Sequence, residues 1–375
     1  MINLLFVSIV FCYIYEDSDS LIVNNDTLTI CGTHQYNIKV DISNYSILKV
    51  RQWSGAADSF GQLIFDAPLI LVRDSSVING SELGYKGGDM NTHPQGYGPG
   101  GGGAGHVNGG GGGGAGYGGD GGDGGDFFPG AGGTAYGDPT DTLIDIGSGG
   151  GAGRYTSLDG TGGRGGAMIY LGGQKIVIDS SFIRSNGEVG DPGQFGLEAG
   201  GGGSGGGIML WSDSIVISSS SIEADGGDGG SAAYGGGGGA GGGRIKIFYG
   251  SVLDTSLMVL LVHEGAGGIG TQGTNGEDGV PGSIFVDRIV DITKITGATT
   301  TESFMYSNPI RGIATIRCEK VPIQLSLYDI TGRVVKVFWL ENHTERVDLN
   351  NLNQGIYFIH SECDRRLLGK LIILK

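Results

Sequence analysis

Carboxylates are the first candidates for chemistry in this sequence. Asp120, Asp123 and Asp126 recur at every third residue in the stretch GGDGGDGGD. Calcium is bound by several oxygen ligands from a flexible loop, so these three residues are the candidate calcium ligands. Their spacing differs from the nonapeptide calcium repeat G-G-x-G-x-D-x-U-x. Solvated loop charges are therefore the alternative, and we expect either calcium or no cofactor at all.

Catalytic carboxylates would have to be paired for glycoside hydrolysis. An acidic and basic cluster would be needed for β-elimination on polyuronides. The remaining aspartates of the repeats lie beside Ser or Gly, where Asx turns explain them. These residues are Asp74, Asp179, Asp213, Asp225 and Asp228. We therefore predict no catalytic residue and no enzymatic activity.

Other reactive residue types also favour structural roles. The six His share no metal-ligand spacing, and no G-K-[ST] follows the glycine runs, which argues against a phosphate loop. Ser219 to Ser221 lack a nucleophile elbow and are predicted to stack as small residues. Arg244 and Lys246 are expected on a solvated strand face. Trp53 and Trp211 could be glycan platforms, although packing is favoured.

Four Cys occur in the chain, at positions 12, 31, 318 and 363, without a C-x-x-C motif. Cys318 and Cys363 could form a disulfide in an oxidising compartment. Two buried free thiols in facing strands are the alternative.

The composition limits the classes of partner. Eighty of the 375 residues are Gly, and the formal net charge is −16. A chain this acidic is a poor candidate for binding nucleic acid or an anionic membrane surface. The charge changes near residue 300, because residues 304–375 carry +3 and the rest carries −19. This shift predicts a domain boundary there.

Internal repeats indicate the architecture of the elements that carry these residues. AMIYLGGQKIVIDSSFIRSNG, from Ala167, aligns without gaps with GGIMLWSDSIVISSSSIEADG, 39 residues later. Further steps of 39 place Ile247 after Ile208 and then reach Val286. An earlier copy, QLIFDAPLILVRDSSVING, places Ile64 opposite Ile169. Each copy combines short strand-like runs with a glycine tract.

Short strands that cannot bury their apolar faces alone must stack on one another. We therefore predict an all-β chain, with a right-handed parallel β-helix or solenoid followed by a small antiparallel β-sandwich. The glycine tracts are expected to project as loops on one side. The first tract is either a disordered loop or a set of packed, polyproline-II-like glycine segments, and its aromatic residues, which give it surface to bury, favour an ordered tract. The predicted divisions are 1–18 (signal peptide), 19–95 (solenoid coils), 96–165 (glycine-rich insertion), 166–292 (39-residue repeats), 293–303 (linker) and 304–375 (C-terminal module).

The two ends of the chain both indicate export. The apolar run from Leu4 to Tyr15 is too short to span a bilayer and is typical of a signal peptide. No other segment is predicted to cross a membrane. The C-terminal region contains the ordered pieces Asn308-Pro309, LSLYDITGRVVK, VDLNNLNQGIYFI and GKLIILK. As a set, these pieces resemble the C-terminal sorting domain of the type IX secretion system of Bacteroidetes and their relatives.

The resemblance implies transport rather than chemistry, with the type IX secretion machinery as partner and the outer-membrane surface or the medium as destination. The matching positions are Asn308, Pro309, Asp329, Gly332, Arg333, Gly355, Tyr357, Lys370 and Lys375. The preceding region is similar, more loosely, to glycine-rich, β-helix-like exported bacterial proteins. The sequence thus predicts a structural or adhesin-like surface protein, with surface glycans or matrix as candidate partners. A polysaccharide-active β-helix enzyme and an ice- or crystal-binding protein are the alternatives.

Overall fold

The computed structural model describes residues 12–55, 60–90, 92–155, 160–193, 198–288, 304–306, 310–311, 313–318, 321–329, 333–342, 344–361 and 367–374. The chain divides into two compact units, Met1–Ile289 and Val290–Lys375. The described residues are all-β and contain no helix, as predicted. Accordingly, they include no helix that could span a membrane.

The first unit is built on two sheets of parallel strands, with one antiparallel strand at an edge. Apart from two consecutive pairs near the N-terminus that lie in the first sheet, the strands, numbered in chain order, alternate between the sheets, so that each repeat supplies a longer strand to one sheet and a shorter strand to the other. The first sheet contains β1 (Tyr13–Glu16), β2 (Ser20–Asn24), β4 (Gly32–Gln35), β5 (Lys39–Ser43), β7 (Gln62–Arg73), β11 (Met168–Asp179), β13 (Gly207–Ser218), β15 (Arg244–Ser256) and β17 (Ser283–Arg288). The second contains β3 (Thr27–Ile30), β6 (Ile47–Val50), β8 (Val77–Asn79), β12 (Phe182–Arg184), β14 (Ser221–Glu223) and β16 (Val259–Leu261). A separate antiparallel pair joins β9 (Asn108–Gly110) to β10 (Arg154–Tyr155).

The apolar residues of both sheets share one core. In β7 every second residue is buried, first Leu63, Phe65 and Ala67 and then Ile70 and Val72. The buried positions thus shift from odd to even residue numbers once, in the middle of the strand. Residues of a strand alternate between its two faces, so this change turns the second half of the strand relative to the first. Each long strand therefore contributes to the core from two segments.

Core burial also sets the register, and it corrects two of the predicted alignments. Ile169 pairs with Leu63 rather than with Ile64, and Ile208 pairs with Ile245 rather than with Ile247. A slip of one residue would move a strand's buried side chains to the outer face. The 39-residue interval holds between β11 and β13 and between β15 and β17, but the chain from β13 to β15 is shorter.

Residues with a left-handed backbone conformation, that is a positive φ, occupy the corner between the long and the short strand of successive repeats. At this corner in two repeats, Ser180 has φ 49° and Ser219 has φ 48°. The same conformation recurs where the other long strands end, at Asn25, Asn44, Tyr45, Asp74, Ser75 and Leu257. Asn and Asp tolerate this region better than most non-Gly residues, and several corners use them. The recurring corner gives each repeat the same path between the sheets.

The glycine tracts do not project as separate loops but pack into one block. Within residues 111–116, the N–H groups donate in turn to three different neighbouring segments and return to the first after three residues. Gly111 and Gly114 bond to the carbonyls of Gly125 and Gly122. The next donors, Gly112 and Ala115, bond to Ala199 and Gly202, whereas Gly113 and Gly116 bond to Gly103 and Gly100. Three residues per turn is the repeat of a polyproline II helix, so the block is a bundle of such extended segments.

This close packing requires glycine. A Cβ atom on Gly113 would lie 2.1 Å from the carbonyl oxygen of Ala131, and one on Gly114 would lie 2.0 Å from that of Gly239. The predicted insertion, residues 96–165, thus shares its hydrogen bonds with residues 199–202 and 239–243 of the later repeats. It belongs to the same compact unit as they do.

The second unit consists of two small sheets. One contains β18 (Phe304–Tyr306), β20 (Ile313–Cys318) and β23 (Thr344–Asp348), and the other contains β19 (Ile310–Arg311), β21 (Ile323–Asp329), β22 (Val334–Leu340), β24 (Gly355–Ser361) and β25 (Leu367–Leu374). Ile316 of the first sheet and Leu325, Ile359 and Leu371 of the second belong to one core. All strand pairs in this unit are antiparallel except β19 with β25.

Candidate functional site

A groove on the first unit is a candidate binding site. It is a cavity of about 760 Å³ between the segments around His93, His106 and Phe128, with Arg154 of β10 in its wall. The lining also includes Pro94, Gln95, Ala104, Gly105, Phe127 and Pro129. These segments belong to the glycine-rich insertion and to the residues just before it, so the hydrogen-bonded glycine block positions them.

Two aromatic rings at this groove face solvent. Phe127 is 85% exposed and Phe128 is 52% exposed. The sequence predicted that such aromatic residues would give the glycine tract surface to bury, and for these two that expectation is wrong. It holds for Tyr117, which is 1% exposed under the same tract. The ring of His106 lies 5.3 Å from that of Phe128 with an angle of 50° between the ring planes, so the two rings are neighbours in the groove.

His93, another lining residue, belongs to an aromatic cluster. Its ring stacks on Tyr97 with a centroid separation of 4.2 Å, and its Nδ1 lies 2.7 Å from the carbonyl oxygen of Gln95. Trp53 packs against Tyr97 at 5.5 Å and against Tyr85 at 5.0 Å. Trp53 is therefore a packing residue behind the groove. This cluster fixes the orientation of the His93 ring.

Arg154 is the charged residue of the groove. Its Nε is buried and has no hydrogen-bond partner. A buried donor without an acceptor costs about 1–3 kcal/mol, so such groups are rare in folded proteins and each one calls for an explanation. Sequence reasoning did not single out Arg154, and no local pattern would have identified it.

The three candidate calcium ligands do not converge. Asp123 Oδ1 accepts a hydrogen bond from the N–H of Gly132 at 2.7 Å, and Asp120 Oδ1 accepts one from Ala135 at 2.6 Å. The backbone N–H of Asp126 donates to the hydroxyl of Thr274. In the described ranges, no three His, Cys, Asp or Glu side chains form a possible metal site. Calcium binding stays a prediction.

Asp126 instead lies beside Glu198, a carboxylate that the sequence analysis overlooked. Glu198 is 1% exposed, and its Oε2 accepts a hydrogen bond from the N–H of Gly235 at 2.8 Å. Burial, together with the neighbouring Asp126 carboxylate, raises the pKa of Glu198 to about 7. Glu198 is therefore a buried carboxylate that accepts a backbone hydrogen bond within the glycine block.

The other aspartates of the repeats make structural hydrogen bonds. Asp225 and Asp228 accept from the N–H groups of His263 and Ala266, at 2.7 and 2.8 Å. Asp179 and Asp213 accept from the hydroxyls of Ser218 and Ser251, and Asp74 pairs with Arg73 at 3.4 Å. Four of these contacts join neighbouring repeats, 38 or 39 residues apart in the chain, rather than closing the local Asx turns that the sequence predicted.

Arg244 and Lys246 are buried, which corrects the prediction of a solvated strand face. Lys246 is fully buried, and its Nζ donates to Asp141 Oδ1 at 2.6 Å and to the carbonyls of Asp138, Asp141 and Leu143. Arg244 donates to the carbonyls of Tyr136 and Gly137, at 2.9 and 3.0 Å. These contacts form because the glycine-rich insertion folds back over β15, although Arg244 Nε is buried without a hydrogen-bond partner. They clamp its final segment to the sheet.

Among the sorting-motif positions, Asp329 and Arg333 are brought together. They close the turn between β21 and β22 through an ion pair of 3.1 Å, while the N–H of Arg333 donates to Asp329 Oδ1 at 3.1 Å. Gly355 begins β24, in which Tyr357 donates its hydroxyl proton to the carbonyl of Asn353 at 2.8 Å. Lys370 pairs with Phe358 in the backbone register. Asn308, Pro309, Gly332 and Lys375 lie outside the described residues.

The Cys and N-terminal predictions remain open. Cys318 lies in β20, but Cys363 is outside the described residues, and so are residues 1–11 and the predicted linker 293–303. Cys12 and Cys31 are free thiols. Within the predicted signal peptide, β1 pairs antiparallel with β2 at the edge of the first sheet, and its four residues are exposed.

The small two-sheet unit is a sorting module of secreted proteins. Residues 304–375 match the family described as the secretion system C-terminal sorting domain. The resemblance seen in the sequence is thereby confirmed, and the module supports export through the type IX secretion system to the cell surface or the medium. No curated protein and no solved structure matches the chain.

Proposed function

We propose that this chain is a non-enzymatic, adhesin-like protein of the outer bacterial surface or matrix, in which the first unit is the cargo and the second directs its export. The match of residues 304–375 to a sorting domain carries this proposal. The apolar N-terminal run supports it independently, because type IX cargo must first cross the inner membrane. We assign the host to the Bacteroidetes and their relatives on the same resemblance.

The cargo unit is proposed to be a right-handed β-helix widened by a glycine-rich bundle. Parallel pairing of successive repeats, alternation between two sheets from β5 to β8 and from β11 to β17, and the recurring left-handed corner all support this reading. The backbone groups of such a stack bond from one repeat to the next. A rigid and protease-resistant body of this type suits a protein that works outside the cell.

A polysaccharide-active enzyme is the alternative, and the groove is the feature that favours it. The described residues that line the groove include Arg154 but no Asp or Glu, whereas glycoside hydrolysis normally requires two carboxylates. The lining therefore supports binding rather than cleavage. For the ice- or crystal-binding alternative, the described sheets offer no supporting ladder of Thr.

Export is tested by expressing the full chain and a chain that ends at residue 303 in a bacterium with a type IX system. We expect the full chain at the surface or in the medium and the shortened chain in the periplasm. As a control, the full chain with Ser326→Ala, which keeps the backbone pairing of β21, should also reach the surface or the medium. Unchanged surface display of the shortened chain would show that the module is not the export signal.

Catalysis is tested separately on the full chain with polygalacturonate and other acidic glycans. Absorbance at about 235 nm follows the unsaturated product of β-elimination, and a reducing-sugar assay follows hydrolysis. We expect neither signal to exceed that of heat-denatured protein. Turnover that is lost in Arg154→Gln would instead establish the enzyme alternative.

A further inference from the structure

We propose that the groove formed by His93, His106, Phe127, Phe128 and Arg154 binds a carboxylate-bearing saccharide, such as a uronic acid unit of an extracellular polysaccharide. This proposal rests on the adhesive function proposed above and names its ligand class and its site. The net charge of the whole chain, −16, does not favour an acidic ligand, because like charges repel. The local chemistry of the groove carries the inference.

The first observation is the guanidinium of Arg154. Its Nε is buried without a partner, and a carboxylate provides two oxygens in the geometry that a guanidinium recognises. Among the described residues, the groove lining contains no Asp or Glu that would pair with Arg154 or repel an anion. The Nε itself is closed to solvent, so a carboxylate in the groove would act as the counter-charge of the guanidinium as a whole.

The second observation is the apolar face next to this cation. Exposed aromatic rings that border a cleft commonly mark a binding surface, and Phe127 and Phe128 are 85% and 52% exposed. The face of a pyranose ring carries C–H groups that pack on an aromatic ring. Phe128 and the adjacent ring of His106 supply such a platform, with 5.3 Å between their centroids.

The remaining lining suits the hydroxyl groups of a sugar. His93 and Gln95 provide polar atoms in the same groove, and the stack of His93 on Tyr97 holds the imidazole in place before a ligand arrives. A pre-formed orientation lowers the entropic cost of binding. The cavity of about 760 Å³ falls within the range of small-molecule sites.

The experiment is isothermal titration calorimetry of the full chain with trigalacturonic acid, its fully methyl-esterified form and citrate. We expect the acidic trimer to bind, and the ester to bind at least about tenfold more weakly, because the ester loses the charge-assisted contact with Arg154. Citrate tests whether carboxylates alone are enough for binding, because it has no sugar ring to pack on the aromatic residues. We expect citrate to bind at least about tenfold more weakly as well.

Two variants locate the site. Arg154→Gln should weaken trimer binding about tenfold or more while leaving the weak binding of the ester nearly unchanged. Phe128→Ala should weaken both forms of the trimer by a similar factor, because it removes the shared platform. The controls are Arg184→Gln and Tyr234→Ala, an arginine and an exposed aromatic outside the groove, and both should bind as wild type. Thermal unfolding followed by circular dichroism confirms that each variant is folded.

Three results would overturn the proposal. They are equal binding of citrate and the trimer, trimer binding that folded Arg154→Gln retains in full, and no binding of galacturonate, glucuronate or mannuronate trimers at millimolar concentration. The export test is independent of all of them, because surface display does not require a ligand. A failed titration with normal display would thus reject this ligand and leave the export proposal standing.

Discussion

The backbone N–H of Ser181 donates a hydrogen bond to the hydroxyl of Ser220, 39 residues later in the chain and 3.0 Å away. The same contact joins Ser46 to Ser76 and Ser76 to Ser181, at 3.1 and 3.2 Å. All four residues are buried at the corner between the long and the short strand. The result is a serine ladder that runs through four successive repeats and supports the corner where the strand hydrogen bonds are interrupted.

Removing one rung should destabilise the first unit. Ser181→Ala takes away the acceptor of the Ser76 N–H, and leaving a buried donor unpaired costs about 1–3 kcal/mol. The hydroxyl of Ser251 bonds to the exposed Asp213, so Ser251→Ala should cost less than about 0.5 kcal/mol. Urea unfolding followed by circular dichroism measures both free energies. Equal stabilities of the two variants would show that the ladder contributes nothing.

The close packing of the glycine block predicts that one added methyl group will strongly lower the stability of the first unit. Gly113→Ala would place Cβ 2.1 Å from the carbonyl oxygen of Ala131, a clash that can be relieved only by separating two hydrogen-bonded segments. We expect a loss of at least about 3 kcal/mol, comparable with the larger effects known for point mutations. The measurement is the midpoint of thermal unfolding.

Gly137→Ala is the matched control for this change. Gly137 has φ +73° but open space around its Cβ position, so alanine there carries only the conformational cost of about 1–2 kcal/mol. A ranking in which Gly137→Ala is the more harmful change would contradict close packing as the reason for glycine in the block.

The stacking strands and the export module could be predicted because their signals are local. Ile169 and Ile208 repeat a pattern of apolar residues that a strand buries on one face, and the stacking role of Ser220 follows from small residues at a recurring turn. Asp329 and Arg333 lie within one short turn, so the sequence alone places them together. Here the spacing along the chain determines the contact.

The fold-back of the glycine-rich insertion could not be predicted in the same way. Glycine carries no side-chain periodicity, so the partners of Gly111, Gly112 and Gly113 are determined only by the three-dimensional packing. The burial of Lys246 depends on carbonyl groups more than 100 residues earlier in the chain. The groove brings together segments around His93, His106, Phe128 and Arg154, which are far apart in the sequence. No local sequence pattern therefore identifies Arg154 as part of a groove.

Lys246 should hold the final segment of the insertion on β15. Lys246→Met keeps most of the side-chain volume but removes the donor shared by Asp141 and the carbonyls of Asp138 and Leu143. The Asp141 carboxylate is 36% exposed and can be solvated, so the cost comes mainly from the carbonyls left without a donor, about 1–3 kcal/mol. We expect faster amide hydrogen exchange in residues 137–146 than in wild type. Lys175→Met, at an exposed position of β11, should leave exchange in that segment unchanged.

Glu198 should give the first unit a pH-dependent stability. Its pKa of about 7 lies above the ordinary value of 4.5, so between these values the folded chain retains a proton that the unfolded chain has lost. The stabilisation is complete below about pH 4.5 and disappears as the pH rises through 7. Glu198→Gln keeps an acceptor for the N–H of Gly235 and cannot ionise. We therefore expect it to match wild type at pH 4.5 and to be more stable at pH 8 by about 1–3 kcal/mol.

Urea unfolding of wild type and Glu198→Gln at several pH values between 4.5 and 8 measures this difference. Comparing the two proteins at each pH cancels the contributions of the other titrating groups, which they share. Glu264→Gln, at an exposed carboxylate, is the control and should follow the wild-type curve throughout. If wild type and Glu198→Gln differ by a constant amount across the range, Glu198 does not change its protonation in the folded chain. The raised pKa would then be wrong, because only a titrating group can make the difference grow with pH.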